Sequence, residues 1–90
     1  MKRYTIVIIE DQRMFRDLMR TLINSSEQFE VIGTATDARQ GWEYCREHEP
    51  DVALIDLELP DHSGIDLGSR LLGLPKPPAL VAVSAMVDPV

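Results

Sequence analysis

The sequence predicts a parallel α/β sheet wound with helical crossovers, and three observations predict it. Short apolar runs at residues 5–9, 52–57 and 79–83 lack the in/out alternation of a half-exposed strand and read as strands buried on both faces. Segments of helical periodicity lie between the strand-like runs. Two of the runs also end in carboxylates, Glu10-Asp11 and Asp56, so acidic groups collect at one edge of the sheet.

The elements follow in order. Residues 5–9 are β-branched and continuous, and Glu10-Asp11 ends them. From Gln12 the apolar residues Met14, Phe15, Leu18, Met19, Leu22 and Ile23 recur at helical spacing, while Arg13, Arg16, Asp17 and Arg20 fill the other face. Asp11 is placed to cap this helix, and Asn24-Ser25-Ser26 offers its stop. Residues 29–36 form a more polar second strand, which belongs nearer a sheet edge. Asp37-Ala38-Arg39-Gln40 has the pattern of a capping box, and a helix with Ala38, Trp42 and Cys45 on one side runs to His48. Glu49-Pro50-Asp51 breaks it. The third strand, 52–57, is followed by a turn-rich loop from Leu59 to Gly64. Residues 65–74 make a weaker third helix with Gly68 inside it, and Pro75-Lys76-Pro77-Pro78 leads stiffly into a fourth buried-type strand ending at Ser84. A β-α-β-α-β-α-β order calls for right-handed crossovers and a parallel sheet.

Composition narrows the function. The 90 residues suit one domain, with 44% hydrophobic residues and interspersed charge. Fifteen acids against nine bases leave a net charge of −6, which argues against this segment gripping nucleic acid directly. A single cysteine, Cys45, forms no internal disulfide and suggests no zinc site. The amino-terminal apolar stretch is too brief and too soon acidic for a signal peptide or a membrane span. A soluble, cytoplasmic protein is the expectation.

In sheets of this kind ligands bind beyond the carboxyl ends of the strands, where Glu10, Asp11, Asp56 and Ser84 all fall. Carboxylates are costly to crowd: two unit charges ~4 Å apart repel by ~4 kcal/mol at an effective dielectric of ~20. A divalent cation and a phosphoryl group are natural occupants of such a pocket. Each residue alone also has a plain reading, Asp11 as a helix cap, Asp56 as a turn residue, Ser84 as a loop serine. His62 reads as a solvated loop residue; Trp42 and the Met14, Phe15, Met19 group read as packing.

Taken together, Glu10-Asp11 after the first strand, Asp56-Leu57-Glu58-Leu59-Pro60 leading to Gly64, and Ser84-Ala85 after the fourth strand resemble a response-regulator receiver domain of two-component signalling. The resemblance spans residues 1–90, and the Arg13-Met14-Phe15-Arg16-Asp17 stretch is most similar to receivers that carry a helix-turn-helix output. It implies a flavodoxin-like sheet of strand order 2-1-3-4. It implies that Asp56 accepts a phosphoryl group from a histidine kinase or a small phosphodonor. Mg2+ would be held by Glu10, Asp11, Asp56 and the Glu58 carbonyl, with Ser84 as the switch hydroxyl; the module is not an enzyme. Leu59 stands where Met is frequent in the family, a volume-conserving exchange.

A complete receiver continues through a fourth helix, a fifth strand carrying a lysine, and a fifth helix, and this sequence is expected to be such a domain truncated after the fourth strand. Its two lysines, Lys2 and Lys76, match no such position. The expected consequence is an apolar edge at residues 79–83, through which the chain would form a homodimer. A phosphorylation-independent dimerisation or partner-binding module is therefore the alternative function. Asp56-Leu57-Glu58 is also superficially similar to the nucleophile motif of haloacid-dehalogenase-type phosphatases, but it follows the third strand, not the first.

Overall fold

The computed structural model describes residues 2–83. Four parallel strands, β1 (Tyr4–Ile9), β2 (Phe29–Ala35), β3 (Val52–Asp56) and β4 (Ala79–Val83), form one sheet in the order β2-β1-β3-β4. The helices α1 (Arg13–Asn24), α2 (Ala38–His48) and α3 (Gly64–Leu71) make the crossovers. This is the flavodoxin-like order 2-1-3-4 that the resemblance implied.

Central position explains the composition of β1. Pairing with β2 on one side and β3 on the other leaves Ile6, Val7, Ile8 and Ile9 almost without solvent contact. Each such side chain contributes about 1.5–3 kcal/mol through burial. Val7, Ile9, Ala53 and Ile55 face Ala38 and Cys45 of α2 and Leu67 and Leu71 of α3 in the main core. Gly41 lets α2 close on β1, since a Cβ there would stand 2.6 Å from the Ile9 Cδ1. On the opposite face, Ile6, Val52 and Leu54 meet Ile23 of α1 and Phe29 around a cavity of about 340 Å³ that Val81 also lines.

Helix ends follow their local chemistry with one exception. Asp37 caps α2 through the Gln40 amide (2.8 Å), and the Gln40 side chain turns back to the Thr36 amide and hydroxyl. Glu49, at φ 47°, ends α2 as its amide donates to the Cys45 carbonyl. Ser63 caps α3 through the Asp66 amide (3.1 Å). The exception is α1: Gln12, not Asp11, occupies its cap position, and no side chain caps it. Asp11 turns instead to the acidic cluster described below, which corrects the plain reading of that residue.

One other expectation changes: Met14 of α1 reads as a packing residue in the sequence, yet it is exposed. β4 forms the apolar edge that the sequence leads one to expect: Ala79, Val81 and Ala82 are exposed, and among the described residues it pairs only with β3. Of the apolar residues in and just after α3, Leu67 and Leu71 are buried and Ile65 and Leu72 are exposed. Among the described residues no helix is long and apolar enough to cross a membrane.

Candidate phosphoacceptor and cation site

Register places the acids together. Ile9 of β1 pairs with Ile55 of β3, so Glu10, just past β1, and Asp56, the last residue of β3, come side by side. Asp11 follows Glu10 into the turn before α1. One carboxylate oxygen from each of Glu10, Asp11 and Asp56 lies within 4.8 Å of the others. The acidic triad read from the strand ends is thus present as one cluster.

The three carboxylates are not equivalent. Glu10 is 1% exposed, Asp56 half-buried and Asp11 exposed. Burial pushes the Glu10 carboxyl up to about 7; the Gln12 amide, which donates to its Oε2 (3.1 Å), opposes the rise, and Asp56 and Asp11 beside it add to it. Asp56 is held on its own loop: its Oδ1 accepts from the Glu58 amide at 3.0 Å.

Two more features fix the loop after Asp56. A Cβ at residue 64 would collide with the Asp56 carbonyl oxygen, so only glycine lets α3 begin this close to the end of β3, where the Gly64 amide donates to the Leu57 carbonyl (2.9 Å). Asp61 tethers the loop to α2, its carboxylate accepting from the Ala38 amide (2.8 Å) and the Arg39 amide (3.1 Å). Loss of solvent pushes the Asp61 carboxyl up, but the amide bonds outweigh it and hold the group below the usual carboxylate range.

Sequence reasoning placed Asp61 only as a turn former and Arg16 only on the solvent face of α1. Arg16 in fact reaches back to the Glu10 and Asp11 carbonyls. No spacing rule marks either contact, since both join side chains to backbone atoms across a turn or between elements. Ser84 lies outside the described residues. The Glu58 amide is engaged with Asp56, and the part given to its carbonyl rests on the resemblance.

The donor set suits a hard divalent cation. Mg2+ takes oxygen ligands at about 2.0–2.1 Å and keeps several waters, which three clustered carboxyls at the rim of a sheet allow. A bound cation would also offset the repulsion among the three carboxyls.

The family model of the response regulator receiver domain matches residues 6–89. A protein-glutamate methylesterase/protein-glutamine glutaminase of Bordetella avium is 34% identical over 98% of the chain, and one of Albidiferax ferrireducens is 35% identical over the same share. The chain spans only 25% and 23% of those two proteins. Among solved structures, the signal receiver domain of the putative response regulator NarL from Mycobacterium tuberculosis aligns with TM-score 0.90 and 26% identity, covering 99% of this chain and 72% of that one. The response regulator domain of Thermotoga maritima CheB aligns with TM-score 0.86 and 25% identity, covering 98% of this chain and 65% of that one.

Proposed function

The chain belongs to the response regulator receiver domain family, a regulatory module, and we propose that within it Asp56 is the phosphoryl acceptor of a two-component signalling pathway in the cytoplasm. The observation that carries this reading is the cluster of Glu10, Asp11 and Asp56 at the carboxyl ends of adjacent parallel strands. An Asp56 carboxylate oxygen attacks phosphorus, forming a P–O bond as the bond to the donor breaks. The electron pair leaves with the imidazole nitrogen of a kinase histidine or the acetate oxygen of acetyl phosphate. Glu10, Asp11 and Asp56, with the Glu58 carbonyl, would hold Mg2+, which would supply positive charge to offset that of the phosphoryl group. The product places about two negative charges on the loop before α3, and Ser84 is the hydroxyl assigned to sense them.

The donor's approach has a surface to use. Met14, Leu18 and Leu22, 85%, 53% and 62% exposed, line one face of α1, whose first turn adjoins the acidic turn. An apolar stripe of this spacing suits a helix of a kinase partner. The output is read as transcriptional from the Arg13–Asp17 stretch, although a methylesterase/glutaminase protein also matches 98% of the chain.

A second reading draws on β4. Its uncharged edge, flanked by a groove of about 280 Å³ lined by Ile55, Leu57, Ile65, Leu72 and Leu80, favours pairing of two copies without phosphorylation. Incubation with acetyl phosphate and Mg2+, followed by intact-mass measurement, separates the two. One phosphoryl adduct, absent in Asp56→Asn, supports the signalling reading; no adduct with a persistent dimer supports the second.

A further inference from the structure

The turn that carries Glu10 and Asp11 lacks the support that helix starts commonly have. α1 has no side-chain cap, and Asp11, the residue suited to be one, contributes its carboxylate to the acidic cluster. The Arg16 guanidinium stands in from the other side. Its Nη1 donates to the Glu10 carbonyl at 3.0 Å and also reaches the Asp11 carbonyl at 3.4 Å. Along the same helix Arg13 is exposed and pairs with Asp17, and Arg20 is exposed and reaches the Thr34 hydroxyl, whereas Arg16 is half-buried. One guanidinium thus bridges the backbone of two of the residues assigned to the cation.

We propose that Arg16 is a positioning residue for cation binding: by tying the Glu10 and Asp11 carbonyls together it sets the turn that aims both carboxylates at one point. This inference rests on reading Glu10 and Asp11 as cation ligands. Two roles for Arg16 predict opposite signs. As a charge alone, a guanidinium beside a cation site repels the incoming ion, so its removal tightens Mg2+ binding. As a strap, its removal loosens the ligand turn and weakens binding, and the loss of outer partners of this kind costs about 10–100-fold in metal affinity.

The test is calorimetric titration of the chain with Mg2+ alone, beside thermal melts without metal. Arg16→Met is expected to raise the Mg2+ Kd by about 10-fold or more, and phosphorylation by acetyl phosphate should recover at saturating Mg2+. Arg16→Lys, which keeps the charge and a donor but not the planar fork, should fall between. A folded Arg16→Met protein with an unchanged or lower Kd overturns the proposal, whatever its Tm, because a merely structural role moves the melt and not the affinity of the folded protein. Should Arg16→Met fail to fold, Arg16→Lys decides alone, and an unchanged Kd overturns the strap. The underlying reading fails differently: then the parent chain binds no Mg2+, or binds it equally well as Glu10→Gln, and the strap falls with it.

Discussion

At the amino end of the sheet, Asp51 accepts hydrogen bonds from the Thr5 amide (2.8 Å) and hydroxyl (3.1 Å), and its own amide donates back to that hydroxyl. At the carboxyl end, Glu10 accepts one amide bond and faces two further carboxylates. The Thr5 amide bond, against a smaller opposing effect of burial, holds the Asp51 carboxyl below its ordinary range, while burial drives Glu10 up to about 7. Similar residues at strand boundaries thus serve opposite ends. One closes a loop with its hydrogen bonds satisfied; the other sits in a crowded cluster whose relief has to come from a proton or a cation. Sites that bind charge are built where the isolated protein is least comfortable.

The strongest way to break this contrast is to neutralise each end in turn. Glu10→Gln or Asp11→Asn should weaken Mg2+ binding by about 100-fold or more, since each removes a unit charge within a few Å of the cation; calorimetric titration measures it. Asp51→Ala should leave that Kd unchanged. Instead it should lower stability by about 1–3 kcal/mol, because the part-buried Thr5 amide and hydroxyl lose their acceptor; urea unfolding at pH 7 measures it.

Stability against pH sharpens the contrast further, with opposite slopes. The folded protein holds the Glu10 proton up to about 7 against an ordinary value of 4.5, so this group's contribution is complete below 4.5 and is lost as pH rises toward 7. Asp51, depressed in the folded state, contributes above its ordinary value of 3.8 and loses that contribution as pH falls. Metal-free melts from pH 4.5 to 8 should therefore decline more steeply for the parent chain than for Glu10→Gln. Over the same range Glu10→Gln should be the more stable protein at the alkaline end, and saturating Mg2+ should narrow the gap. A smaller effect is expected at the loop: Gly64→Ala should slow phosphate incorporation at constant Mg2+, because the added Cβ displaces the Asp56 carbonyl.

The strands and the triad were legible in the sequence for the same reason. Uninterrupted β-branched runs mark a doubly covered strand, and a parallel sheet brings their carboxyl ends to one edge, so Glu10, Asp11 and Asp56 converge from register alone. What stayed hidden depended on competition between neighbours. Asp11 has the chemistry of a cap and also that of a ligand, and only in three dimensions is its carboxylate seen in the acidic cluster and not on the helix start. Arg16 shares the periodicity of the solvent face, yet a long side chain reaches back across one turn to carbonyls that periodicity does not describe. β4 differs: its composition is that of an inner strand, but its place at the sheet edge was expected from the sequence, and its exposure follows from that.

The central claim is that the crowded end of the sheet, and Asp56 in particular, receives the phosphoryl group. Peptide mapping after incubation with acetyl phosphate, with the acyl phosphate trapped by borohydride, tests it directly. Reduction is expected at Asp56 alone, present with Mg2+ and absent when the metal is chelated. Modification at another carboxylate, or at Asp56 regardless of Mg2+, would contradict it.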